Sequence, residues 1–167
     1  MNKRDIIIGL VILSALTVAV FWKQKDKDVD EQLIVPQTLS IEDKIEEAFN
    51  IELPKDIDRA ELRDVTGRSA SAIAVREIKD DQFKYSVLAD LPESPEGQTY
   101  QSWIRRGGQE GDENYSLVST GVMRIAKGGW MVNFSSPIDY FDHDRVIISL
   151  EKVVDNQMEE QVLEGFF

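Results

Sequence analysis

The chain has 167 residues, no cysteine and a formal net charge of −12. The missing cysteines exclude disulfides, thiolate metal sites and a cysteine nucleophile. So acidic a chain repels nucleic acid, and the one basic pair beyond the linker, Arg105-Arg106, is too small for a binding groove, so no nucleic-acid partner is expected.

Residues 1–5 read as a short cytosolic tail. Ile6 to Trp22, IIIGLVILSALTVAVFW, is an uncharged run. As a helix it covers about 25 Å, near the short end of what spans a bilayer. Lys3 and Arg4 precede it, and Trp22 and Lys23 close it as an interfacial anchor and a snorkelling cation. The expectation is a transmembrane helix over residues 6–22 that places the chain in the plasma membrane. The competing reading is a cleaved signal peptide, whose nearest cleavage site, Thr17-Val18-Ala19, lies inside the apolar run. Flanking cations do not decide orientation, because Lys23, Lys25 and Lys27 balance the N-terminal ones. A short basic tail usually stays inside, which puts the following domain outside the cytoplasm.

Residues 23–37, KQKDKDVDEQLIVPQ, form a charged linker, because alternating Lys and Asp leave no apolar face and Pro36 breaks a helix. A plain spacer is expected, with a protease-accessible stalk as the functional alternative. Residues 38–58 hold a short amphipathic helix packed on the domain. Ser40 is its N-cap and Asp43 closes a weak capping box. Ile41, Ile45, Ala48 and Phe49 share one face, and Asn50 and Pro54 end it.

From residue 59 to 167 the apolar period becomes two, as in strands. In FKYSVLADL, Phe83, Tyr85, Val87, Ala89 and Leu91 share a face. TYQSWIRR carries an aromatic on each face, Tyr100 and Trp103, which predicts a central strand covered on both sides. The loop GGQEGDEN is too acidic for a phosphate cradle. YSLVSTGVMRIA and GWMVNFS are joined by a turn at Gly128-Gly129, and RVIISLEKVV and EQVLEGF follow. About eight short strands at this spacing predict a mostly β fold, an antiparallel β-sandwich.

Few residues suggest chemistry. His143 is the sole histidine and cannot build a zinc site unaided. Asp139, Asp142 and Asp144 flank it, but their spacing is not that of a calcium loop, so solvated loop acids are expected and no metal or cofactor. No G-x-S-x-G elbow supports a Ser-His-Asp triad, and an enzyme is not expected. Trp103 and Trp130 read as core in preference to a binding platform.

LADLPESPEGQTYQSWIRR resembles the signature region of the extracytoplasmic C-terminal domain of anti-sigma-K factors of the RskA type. The matching positions are Leu91, Pro92, Gly97, Tyr100 and Trp103. STGVMRIAKGGWMVNF is similar to the family's next strand and glycine turn, with Ser119, Gly121, Gly128 and Gly129. VIISLEK resembles its valine-rich strand, ending in Leu150 and Glu151. The resemblance runs over roughly residues 60–155 and implies a β-sandwich outside the membrane. In full-length members of that family, a cytosolic domain holds a sigma factor. Here only Met1 to Asp5 precede the apolar run, and Lys152 stands where a proline would follow Glu151. Direct sigma-factor binding is therefore not expected. The functional expectation is a binding or sensing module working through an unknown protein partner. A passive envelope protein is the alternative, with a hydrolase behind it.

Overall fold

The computed structural model describes residues 39–167. The tail, the apolar run and the linker expected over residues 1–37 lie outside the described residues. Among the described residues no helix is long and apolar enough to cross a membrane.

Among the described residues one helix, α1 (Ile41–Phe49), precedes the strands. The Ser40 hydroxyl accepts the Asp43 N–H at 3.0 Å, and the Asp43 carboxylate accepts the Ser40 N–H at 3.1 Å, a complete capping box. Asn50, left-handed at φ +51°, ends the helix. Ile45 and Phe49, with Leu53 beyond the helix, bury themselves against Ile73 of the sheet. Ala48 is exposed, at the rim of the expected face.

The rest is strand: β1 (Asp58–Asp64), β2 (Ser71–Lys79), β3 (Gln82–Asp90), β4 (Thr99–Arg106), β5 (Ser116–Val122), β6 (Arg124–Ala126), β7 (Gly129–Ser136), β8 (Arg145–Glu151) and β9 (Glu160–Phe166). All neighbours pair antiparallel. The expected strand-rich antiparallel domain is present, but the strands do not divide into two hydrogen-bonded sheets. They form one nine-stranded sheet in the order β5-β4-β8-β9-β1-β2-β3-β7-β6. It curls until β5 approaches β7, so the sheet is nearly closed around a single core. Alternation along a strand reports which face is buried and says nothing about which strand lies next to it, so the pattern could not separate these architectures.

The inner face carries Phe83, Tyr85, Val87 and Ala89 from β3, Tyr100 and Ile104 from β4, and Val146, Ile148 and Leu150 from β8. YSLVSTGVMRIA is broken at Met123, whose N–H donates to the Tyr100 carbonyl at 2.9 Å. There the chain leaves β4 and turns to pair with β7. The β6–β7 turn contains Gly128, as expected.

Candidate functional site

β4 lies between β5 and β8 and is buried on both faces over Tyr100–Ile104. Tyr100, Ser102 and Ile104 point inward; Gln101 and Trp103 point outward. The outward residues meet a buried polar network. The Trp103 indole N–H donates to the Ser149 hydroxyl at 2.7 Å. Ser149 in turn donates to the Glu151 carboxylate, which is fully buried. Glu151 accepts the Glu159 N–H with both oxygens at 3.2 Å. β-bulges at Ser102/Trp103 and at Ile148/Ser149 flank the two partners. The extra residues are Thr120 of β5 and Val162 of β9, so the strands on either side bulge where they pass the bonded pair, while β4 and β8 keep an unbroken register.

The network holds the segment between β8 and β9. Glu159 receives the Lys152 N–H at 2.8 Å, and the Gln101 amide donates to the Asp155 carbonyl at 3.3 Å. Asp155 accepts the Gln157 N–H at 2.7 Å. The loop after β4 is pinned as well: Asp112 accepts the Gln109 N–H at 2.7 Å, and Arg106 donates to the Asn114 carbonyl at 3.1 Å. Between the two loops lies a groove of about 700 Å³, walled by Glu110, Tyr115 and Leu117 on one side and Asn156, Gln157 and Met158 on the other.

The signature positions resolve into roles. Leu91, Tyr100 and Leu150 are core. Trp103 and Glu151 are the ends of the outer network. Pro92 is exposed, and Gly97 takes φ +76° in the turn before β4. Gly121 lies on β5, opposite Ser102. Gly129 packs against Phe49 of α1. Trp130 is core, edge-on to Tyr100 with ring centroids 5.1 Å apart. Both tryptophans are therefore buried, as expected.

Asp139, Asp142 and Asp144 are exposed, as expected of solvated loop acids, but His143 among them is not. It is buried, its Nδ1 is 2.7 Å from Asp142, and its Nε2 is 2.9 Å from the Ser116 hydroxyl. Nδ1–H donates to the carboxylate, and Nε2 shares a hydrogen bond with the serine hydroxyl. This joins the three residue types of a nucleophilic triad, which the sequence offered no motif to find. Its setting is that of a brace. Ser116 pairs opposite Arg106, is partly buried and borders the groove between the two loops, and Tyr140 stands edge-on to the imidazole at 5.1 Å. Asp142 also pairs with Arg106 and is half exposed. Arg76 donates to the carbonyls of Phe141 and His143 at 3.2 and 3.0 Å and lies over the rings of Phe141 and Phe167. Together these contacts fasten the segment between β7 and β8 to β2, β4 and β5. Among the described residues no three metal-ligating side chains cluster.

The hydrogen bond from Arg106, aided by His143, holds the Asp142 carboxyl below the usual carboxylate range. A depressed folded-state pKa adds stability that is present above the unfolded value and lost as pH falls through the folded one. Asp142→Asn should therefore flatten the acid side of the stability profile as pH falls through and below the ordinary carboxylate range, read from urea midpoints. Parallel profiles for parent and variant would show that the pair adds nothing.

No family model, curated protein or solved structure matches the chain.

Proposed function

We propose that this protein is a membrane-anchored binding and sensing module of the cell envelope, similar to the outer domain of anti-sigma-K factors. Residues 6–22 hold it in the bilayer as a single pass, and residues 39–167 lie outside the cytoplasm. It works through a protein partner, as part of a regulator of sigma-factor activity, and carries out no catalysis of its own.

What supports this reading is the convergence of signature positions that are far apart in sequence. Trp103 and Glu151 meet through Ser149 and together hold a loop over the outer face of β4. Buried polar groups are costly unless bonded, so a network of this kind specifies the position of what it holds. Here it holds a surface loop, and loops on a rigid scaffold are where binding residues concentrate.

The test is made in intact cells carrying the full chain. Protease added outside should remove the domain without lysis. A photo-crosslinker at Gln157 should give one discrete adduct with a membrane protein. A domain digested only after lysis overturns the topology. Adducts with the chain itself alone point to a passive envelope piece and overturn the sensing role.

A further inference from the structure

We infer that the groove between the loop after β4 and the loop after β8 binds a neutral, hydroxyl-rich ligand of the saccharide class. This rests on the reading of the domain as a binding module and names the chemistry of its ligand.

The groove is built as well as open. Its far wall is the segment that Glu151 and Gln101 hold from beneath. Its near wall is the loop closed by Asp112 and Arg106. Both walls are thus set before a ligand arrives, which lowers the ordering cost of binding. At about 700 Å³ the groove falls within the usual range for small-ligand sites.

The lining selects the ligand. Asn156 and Gln157 present primary amides, each a donor and an acceptor at once. Such groups match adjacent hydroxyls, which also donate and accept. Tyr115, Leu117 and Met158 are partly buried and give apolar surface for the C–H face of a sugar ring. Glu110 adds an acceptor, and among the described residues the lining carries no lysine or arginine. In a chain of net charge −12 such a groove repels anions, so phosphorylated ligands and uronic acids are disfavoured. The exposed lining is more polar than apolar, which does not favour a lipid tail.

The experiment uses the full chain in a sugar-free detergent, with saturation-transfer NMR to three probes. These are triacetylchitotriose as the neutral saccharide, trigalacturonate as its acidic counterpart, and a neutral tripeptide. Transfer to triacetylchitotriose alone is expected. Tyr115→Ala and Gln157→Ala should each weaken it about tenfold, the loss of one or two good contacts. Gln157 is exposed, so its variant keeps the fold and serves as the check if Tyr115→Ala is unstable. No transfer to the neutral saccharide, equal transfer to the uronate, transfer to the peptide in its place, or transfer untouched by either substitution overturns the inference. If that happens while the membrane-protein adduct at Gln157 persists, the saccharide assignment falls and the binding-module reading stands.

Discussion

Trp103→Ala should lower the unfolding free energy by about 3–5 kcal/mol, the range for emptying a buried tryptophan site. The ring is fully buried on the outer face of β4, and its N–H is one end of the bonded chain through Ser149 to Glu151. Removing it opens a cavity and takes a donor from Ser149. Trp103→Phe separates the two effects. It keeps most of the apolar surface and deletes the donor, so about 1 kcal/mol should be lost. Urea denaturation of parent and variants provides the measurement. A loss under about 1 kcal/mol for Trp103→Ala would mean that the outer face is not packed, and the support for the loop after β8 would go with it.

The second large effect is expected at Gly128. This residue has φ +82°, and a Cβ there would overlap the carbonyl of Ala48 at the end of α1. Gly97 has a similar φ of +76° with nothing within 4 Å of the same position. Gly97→Ala should cost about 1 kcal/mol, the penalty for a left-handed backbone alone. Gly128→Ala should cost about 2–4 kcal/mol, because the helix end must also shift from the β6–β7 turn. The difference between the two variants measures how closely α1 is seated. Equal losses in thermal or urea unfolding would show that the helix yields freely.

How much of this was legible depended on whether the deciding contact was local. The capping box of α1 lies within four residues, and both the cap and the buried pair Ile45 and Phe49 could be read directly. The face shared by Phe83, Tyr85, Val87 and Ala89 was equally plain, because a strand next to a core must alternate. That β4 is covered on both faces could be read from Tyr100 and Trp103 on opposite sides, although it lies next to the end strand β5 and not at the centre of the order. The break at Met123 could not be read. An apolar residue continues the pattern there, and the break is a change of partner from β4 to β7, strands distant in sequence. The burial of His143 could not be read for the same reason. Its neighbours in sequence are acids, but its second partner, Ser116, arrives only through the register of β4 with β5. The groove left no trace, because its walls come from two segments far apart in sequence that no local pattern connects. Trp103 and Glu151 were singled out by resemblance, yet the serine that connects them was not.

The place of β9 in the sheet bears on how the chain reaches its fold. Its hydrogen-bonded neighbours are β8 on one side and β1 on the other. Until β9 is made, β5-β4-β8 and β1-β2-β3-β7-β6 are two ribbons with no ladder between them. The first ribbon holds the groove and the second seats α1. Joining them brings together the earliest and latest strands, a closure over long sequence separation that folds slowly. A chain emerging from a ribosome or a translocation pore would carry two unsealed edges until its last strand appeared, the stage at which edge-to-edge aggregation is most probable and a chaperone most useful.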